Sequence, residues 1–181
     1  MPPPGSYTYR VTGRASSALG KQSLDGDSTL TVDQPQGNRE HSVQRDKGGS
    51  TEQVLVSRTD GLYLADIHLS QPGFDEDFRP SSPVLLFPGT AHRGEHWHWS
   101  MKSTDGKYTL TAQLQVTDLR SSYVVLSSVL HVQSKDIDLT IHQRDKSGRD
   151  AVIQREHAVT DGTAYGTSFH SDATRVLVSR P

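Results

Sequence analysis

The sequence lacks cysteine altogether, so this chain of 181 residues can form neither disulfide bridges nor thiolate metal sites. It also lacks any stretch approaching the roughly 18 consecutive apolar residues of a transmembrane helix. The opening segment, MPPPGSYTYR, has neither the basic start nor the apolar middle of a secretion signal. No transmembrane segment is therefore predicted.

An excess of charge of either sign is missing too. The 19 basic and 21 acidic residues give a formal net charge of −2, with no long run of one sign, which argues against a nucleic acid partner. Hydrophobic residues make up 32% of the chain, a low share for a globular protein. We therefore expect a thin core and much solvated surface, as in an antiparallel sheet that buries one face.

Helical periodicity is absent, because no window shows apolar residues spaced at i, i+3 and i+4. Period-two alternation takes its place, most clearly in KYTLTAQLQVT, where Tyr108, Leu110 and Ala112 face one way and Thr109 and Thr111 the other. Clusters such as DKGG, STDG and DKSG supply the residues that tight turns need. The pattern predicts about eleven strands, centred near residues 10, 29, 42, 54, 65, 98, 112, 127, 139, 154 and 176, with a further short strand from Tyr165 to His170.

This pattern predicts an all-β protein. We expect an antiparallel meander of about ten to twelve strands, curled into a barrel or half-barrel. Without helices to cover its apolar face, such a sheet must close on itself or stack on its other half. A barrel of about ten strands is wide enough to leave an interior cavity.

Aromatic and apolar residues at alternating positions are the candidates for the barrel interior. In LYLADIHL, for example, the alternation places Tyr63, Ala65 and Ile67 on one face. These candidates would either surround an apolar ligand or form a simply packed core. The predicted ligand-binding set is Tyr7, Tyr9, Tyr63, Trp97, Trp99, Tyr108 and Leu110.

A short sequence recurs at matched places in the two halves. QRDKGG at 44–49 returns as QRDKSG at 143–148, and each copy is followed by a TDG. We interpret this as an internal duplication within a single domain, residues 1–181, and the alternative is convergent use of the same hairpin residues. The predicted parts are a half-repeat over 6–70, a connecting segment over 71–106 and a half-repeat over 107–181.

The stretch GEHWHWS, Gly94 to Ser100, alternates histidine and tryptophan. On a strand Trp97 and Trp99 share one face, and the two histidines share the other. The following STDG turn is predicted to fold this strand onto the next one, with Trp99 opposite Leu110. The tryptophans are expected to anchor the core because each can bury a large area.

The histidines of this stretch allow a second interpretation. A zinc or copper site needs at least three converging ligands, and His92 in the preceding loop could join His96 and His98. The stretch resembles the first cupin motif, in which Gly precedes His-x-His, but the Glu that this motif requires is missing from MKSTDGK. The two interpretations are a solvated strand without cofactor and a site for a divalent metal ion.

Other candidate sites favour ordinary surface structure. FDEDF at 74–78 groups acidic residues but lacks the Asp-x-Asp-x-Asp-Gly calcium loop, so a solvated loop pinned by Phe74 and Phe78 is predicted. His131 and Asp138 are expected to face each other across a hairpin as a surface pair. The sequence has no Gly-x-Ser-x-Gly elbow, phosphate loop or dinucleotide fingerprint, and no enzyme activity is predicted.

One long segment carries a family resemblance. PVLLFPGTAHRGEHWHWSMKSTDGKYTLTAQLQV resembles uncharacterised secreted or lipid-anchored β-proteins of bacterial, particularly actinobacterial, cell envelopes. PPPGSYTYRVTG is similar to the start of their mature domains after a proline-rich tether. The resemblance implies a curved sheet or barrel at an extracellular or envelope location, with the signal and tether absent from this segment. It implies no catalytic residues.

These observations lead to one expected function and two alternatives. We expect a non-enzymatic envelope or secreted protein that binds an apolar small molecule such as a lipid, or a partner protein of the envelope. The first alternative is a cupin-like metal site at the His-x-His strand. The second is a structural or adhesive module that works through its edge strands or the loop at 71–83.

Overall fold

The protein is all-β, as predicted. A computed structural model describes residues 1–71 and 73–181, in which fourteen β-strands and no helix are found. Within that part of the chain, accordingly, no helix is long and apolar enough to cross a membrane. The strands are β1 (Gly5–Ser17), β2 (Gly20–Ser23), β3 (Gly26–Val32), β4 (Arg39–Asp46), β5 (Gly49–Arg58), β6 (Gly61–Gln71), β7 (Phe74–Phe78), β8 (Val84–Pro88), β9 (His96–Lys102), β10 (Thr109–Leu119), β11 (Tyr123–Gln133), β12 (Ile137–Gly148), β13 (Ile153–Ala164) and β14 (Thr167–Ser179).

All the strands belong to one antiparallel sheet. Twelve of them follow a single path in the order β7-β6-β5-β4-β3-β1-β14-β13-β12-β11-β10-β9, while β2 pairs with β1 and β8 pairs with β6. The sheet curls so that its two ends approach each other, which gives a nearly closed barrel with one unsealed seam. The pairing of β1 with β14 joins the two halves of the chain and lies opposite that seam.

The backbone closes this seam at one place among the described residues. Phe78 of β7 forms an isolated bridge with Ser103, and the N–H of Thr104 donates to the carbonyl of Asp77 at 2.8 Å. Among the described residues, strand β9 has a ladder partner only in β10. The other edge of β9 therefore faces the seam without a paired strand.

Side chains close the rest of the seam. The indole Nε1 of Trp97 donates to the carbonyl of Leu85 at 2.9 Å, and the Trp97 ring packs edge-on against Phe87 with centroids 6.4 Å apart. Nearer the opposite end of the seam, the rings of Phe74 and Tyr108 pack edge to face with their centroids 5.1 Å apart. Aromatic packing thus replaces a hydrogen-bonded ladder over most of this edge.

Strands β7 and β8 join β9, the one strand expected in the segment predicted as a connection. FDEDF forms β7 along β6, so the prediction of a solvated loop was wrong. Its alternation is that of a strand, since Phe78 is fully buried and Phe74 packs against the core while Asp75 and Asp77 are exposed. VLLFP forms β8, which pairs with the first residues of β6.

The hairpin of β9 and β10 lies two residues away from the predicted register. Trp99 is opposite Ala112, whereas the predicted partner was Leu110. The turn is centred one residue later than predicted, because the backbone N–H of Ser103 donates to the carbonyl of Tyr108 at 2.9 Å and the Ser103 hydroxyl accepts the N–H of Tyr108 at 3.0 Å. A shift of two residues keeps every side chain on its predicted face.

Tyr63 lies on the outer face of the barrel, contrary to the prediction. The register between β5 and β6 shifts between Val54 and Leu55, and Ala65 is the extra residue of this β-bulge. The bulge reverses the alternation on its N-terminal side, so Leu64, which is 3% exposed, takes the inward position.

The two copies of the recurring sequence differ in structure. Residues 44–49 span the turn between β4 and β5, whereas residues 143–148 lie within β12. The TDG at 59–61 leads from a turn into β6, whereas the TDG at 160–162 lies inside β13. The local structure does not repeat, and the duplication stays a prediction.

The apolar core is divided between two clusters. The larger one lies along the strands on both sides of the seam, and the smaller one lies on β1, β3 and the loop before β13, opposite the seam. Buried members of the first are Leu55, Leu64, Phe78, Trp99, Met101, Leu110, Ala112, Leu114, Val132 and Ile137; those of the second are Tyr7, Tyr9, Val32 and Val152.

Truncation of Leu110 tests this assignment of faces. Leu110 is 3% exposed within the larger cluster, so Leu110→Ala should lower the free energy of unfolding by about 2–5 kcal/mol. The matched substitution Leu19→Ala, at a side chain that is 94% exposed, should change it by less than about 0.5 kcal/mol. Urea denaturation measures both values. Equal losses in the two variants would contradict an inward Leu110.

Candidate functional site

Most residues predicted to line the interior do face it, but as packed side chains. Tyr7, Tyr9, Trp99 and Leu110 are at most 9% exposed. Partly buried Trp97 and Tyr108 pack against the larger cluster. Because the tyrosines of β1 and the tryptophans of β9 belong to different clusters, the predicted set is divided between opposite walls of the barrel.

Tyr63, the remaining member of that set, makes its contacts on the outer surface. Its hydroxyl donates to the Asp60 carboxylate at 2.8 Å, and the guanidinium of Arg58 lies 4.4 Å from its ring centroid. The hydrogen bond to Asp60 is the first cause that raises the pKa of this tyrosine. Tyr63 therefore belongs to a surface cluster and not to the interior.

The histidines predicted as metal ligands lie on the outer surface. His96 and His98 are exposed on β9 and border an open hollow of about 380 Å³, with Gln113 and Gln115 beside them. His92 is exposed in the preceding loop. Within residues 1–71 and 73–181, no three histidine, aspartate or glutamate side chains are grouped to hold a metal ion, so these histidines do not form the predicted ligand set.

A second hollow, of about 370 Å³, lies on the outer face of β4, β5 and β6 and is bordered by charged side chains. His68 lies 3.3 Å from Asp75 and 3.0 Å from Asp77, and Arg79 lies 2.6 Å from Asp66. Such exposed pairs contribute about 0–1 kcal/mol each. With histidine counted as neutral, the bordering carboxylates of Glu52, Asp66 and Asp77 outnumber the guanidinium of Arg79, so the pairs do not neutralise the hollow.

The predicted contact of His131 with Asp138 is present. Nε2 of His131 lies 2.7 Å from Oδ1 of Asp138, although the residue directly opposite His131 is Thr140. The pair is diagonal, on the exposed face of a hairpin. It is a surface pair, as expected.

Sequence reasoning missed a group of polar side chains inside the barrel, on the wall opposite the seam. Arg175 of β14 is 7% exposed, and its Nη2 donates to Oε2 of Glu156 at 2.5 Å. Glu156 is paired in register with Arg175 on one side and with Asp145 on the other. These three strands thus bring two carboxylates and one guanidinium to the inner face.

Asp145 is the acid most affected by this environment. Burial, reinforced by the negative charge of Glu156, raises the pKa of Asp145 to about 7. Nε2 of Gln143 donates to both carboxylate oxygens, at 3.0 and 2.9 Å. Asp145 therefore changes its charge near neutral pH while it remains held by Gln143.

Tyr9 and Ser28 complete this group on the neighbouring strands. They lie directly opposite each other on β1 and β3, and the Arg175 guanidinium carbon is 4.8 Å from the Tyr9 ring centroid. The hydroxyls of Tyr9 and Ser28, and Nε and Nη1 of Arg175, are buried without a hydrogen-bond partner in the described part of the chain. Each buried unpartnered group costs about 1–3 kcal/mol.

Glu40 is a further buried acid on this side of the interior. It is 1% exposed on β4, and neither carboxylate oxygen has a partner among the described residues. Burial raises the pKa of Glu40, and the charge of the chain's amino terminus opposes that effect. Polar interior groups therefore extend over β1, β3, β4 and β12–β14, about half of the barrel wall.

The sequence carried a signal for part of this group. The alternation of Ile137, Leu139 and Ile141, continued by two further steps, places Gln143 and Asp145 on the inner face of the same strand. A polar side chain at a position that the alternation assigns to the core needs a hydrogen-bond partner, either within the protein or in a bound molecule.

No protein-family model matches the chain, and searches of curated proteins and of solved structures found no significant similarity. The physical properties of the barrel, with its apolar seam and its polar inner wall, are therefore the basis for inferring a function.

Replacement of the buried acid tests the interior electrostatics. An unfolded aspartate titrates near about 3.9, whereas burial raises the pKa of Asp145 to about 7, so the folded protein holds this proton more tightly than the unfolded chain does. Wild-type stability should therefore fall as the pH rises from about 4 to about 7, by on the order of 1.4 kcal/mol per pH unit.

Asp145→Asn should lack this contribution to the pH dependence of stability, since the amide does not titrate. Urea unfolding at pH values from about 5 to about 8 measures the difference, and the variant should gain on the wild type as the pH rises. Stabilities that run parallel over this range would contradict a buried, titrating Asp145.

Proposed function

We propose that this protein is a non-enzymatic binding protein that takes an elongated apolar ligand, such as a lipid chain, into the barrel through the seam. The observation that carries the proposal is the combination of a weakly sealed edge with the larger apolar cluster directly behind it. As the envelope resemblance implies, we place this activity outside the cytoplasm.

The composition of the seam supports the entry of a chain at this edge. Phe74, Phe87, Trp97 and Tyr108 close it through aromatic edge-to-face contacts, with one indole hydrogen bond to a carbonyl. An apolar chain could replace such contacts with others of the same kind, whereas it could not replace the hydrogen bonds of a continuous ladder. Opening would break the backbone bridge at Phe78, the one that crosses the seam in the part of the chain that the structure describes.

The wall behind the seam supports retention of the chain. Trp99, Met101, Leu110 and Leu114 on β9 and β10 face inward, and Leu64 lies on the other side of the seam. Burial of one methylene group contributes about 0.8 kcal/mol. A chain of about ten methylenes could therefore offset the free-energy cost of association, which is estimated at 4–15 kcal/mol.

A partner protein is the second candidate occupant. The free edge of β9 offers unpaired backbone groups along the seam, and a partner segment in extended conformation could add to it as a further strand. This occupant would be identified by its mass and by its sensitivity to protease.

Native mass spectrometry of protein purified without detergent tests the proposal. We expect adducts of lipid mass, heterogeneous in chain length, because apolar burial does not select one chain. They should survive treatment with EDTA. They should also persist in the variant His96→Ala/His98→Ala, which changes only the outer face of β9.

Two results would overturn this function. One is a single-ion adduct that EDTA removes and that is missing from the histidine variant, because it would support the predicted metal site at these histidines. The other is a failure of the protein, stripped of adducts, to bind added phospholipid or fatty acid.

A further inference from the structure

The strongest unexplained feature of the interior is a set of buried hydrogen-bond donors on three neighbouring strands. Tyr9 is fully buried, Ser28 is 1% exposed and Arg175 is 7% exposed. Two hydroxyls and two guanidinium nitrogens of these residues have no partner in the part of the chain that is described. Native proteins rarely leave such groups unpaired, so ordered water or a bound polar group is expected to complete their hydrogen bonds.

The donors lie together because of the strand pairing. Ser28 is opposite Tyr9 across β1 and β3, while Arg175 on β14 lies over the Tyr9 ring from the other side. Strands β1 and β14 are the sixth and seventh of the twelve-strand path, so this wall is the one farthest from the seam. A molecule that entered through the seam would meet these donors at the end of its path.

The chemistry of the donors favours a carboxylate. Nη2 of Arg175 already donates to Glu156, so Nε and Nη1 each offer a single charge-assisted N–H donor, and the hydroxyls of Tyr9 and Ser28 can add hydrogen bonds to a carboxylate. Glu156 already balances the charge of Arg175, and Asp145 lies beyond it. A bound carboxylate adds one negative charge beside Glu156, which the unpartnered donors of Arg175, Tyr9 and Ser28 would stabilise, whereas a phosphate dianion would add two.

We propose that Arg175, Tyr9 and Ser28 form a buried binding site for a carboxylate group, either the head of a long-chain acid or a free short-chain carboxylate. The first source rests on the proposed function, since it requires an apolar chain in the interior. The second source does not, because a short carboxylate needs only the polar wall.

The test compares ligands that differ only at the head group. Dodecanoate and dodecanol share one chain, and their dissociation constants are measured by the fluorescence of Trp97 and Trp99, the two tryptophans of the chain. Wild-type protein should bind the acid at least about tenfold more tightly than the alcohol, because a hydrogen bond to a charged group exceeds that factor. Butyrate, a short carboxylate, should raise the melting temperature of the wild type.

The double variant Tyr9→Phe/Ser28→Ala removes both hydroxyls with little change in shape. It should lose most of the preference for the acid while it keeps the affinity for the alcohol. Its own stability without ligand should be equal to or above that of the wild type, because two buried unpartnered groups are gone. Tyr63→Phe, at the outer tyrosine, is the matched control and should keep the preference.

Arg175→Lys gives an independent variant that keeps the positive charge opposite Glu156 but replaces the three guanidinium nitrogens with one ammonium. It should also reduce the preference for the acid. The interpretation does not depend on this variant if it fails to fold, since the hydroxyl variant tests the same site.

Each outcome decides between the two proposals. Equal affinity for acid and alcohol in the wild type, or an unchanged preference in the hydroxyl variant, would overturn the carboxylate site and leave the apolar function in place. If neither long-chain ligand bound but butyrate stabilised the wild type and not the hydroxyl variant, the site would stand and the proposed function would fail. If none of the three ligands bound, both would be overturned.

Discussion

The closure of the barrel depends on the seam between β7 and β9, where the bridge between Phe78 and Ser103 is the one backbone pairing among the described residues. A sheet without covering helices must bury its apolar face against itself, and this sheet does so by bringing β7 and β9 together. Every other junction along the path is a strand ladder. The position of the seam therefore decides where the interior is accessible.

The division of the interior follows from this arrangement. Strands next to the seam carry the larger apolar cluster, which gives the weakly bonded edge the packing that holds it closed. On the opposite wall the strands are held together by continuous ladders of backbone hydrogen bonds. That wall carries Arg175, Glu156 and Asp145. A barrel with an apolar side and a polar side is suited to a ligand that has both.

Period-two alternation was enough to predict the fold class and the inward face of β9 and β10, because each side chain's face follows from strand geometry alone. It could not predict the register of their hairpin, which the Ser103 hydroxyl sets by binding Tyr108. Nor could it locate the bulge at Ala65 that turns Tyr63 outward, since a bulge depends on the partner strand.

The polar wall was partly accessible from sequence and was overlooked for a physical reason. Asp145 and Gln143 continue the period-two alternation of the apolar residues of β12. QRDKSG resembles QRDKGG, however, and the Gly and Asp of both are typical of turns. Arg175 and Tyr9 meet only because the first and last long strands pair, a contact between the ends of the chain. No local pattern contains that information.

The central claim, that a ligand enters where the seam parts, is tested by locking the seam. Thr104 and Asp77 lie next to the bridge and share a backbone hydrogen bond of 2.8 Å, and the chain has no cysteine of its own, so Asp77→Cys/Thr104→Cys places one disulfide across the seam. Stopped-flow fluorescence should show dodecanoate associating at least about tenfold more slowly with the oxidised variant, as when binding requires a conformational change. Reduction should restore the wild-type rate. Equal rates in the oxidised and reduced forms would contradict entry through the seam.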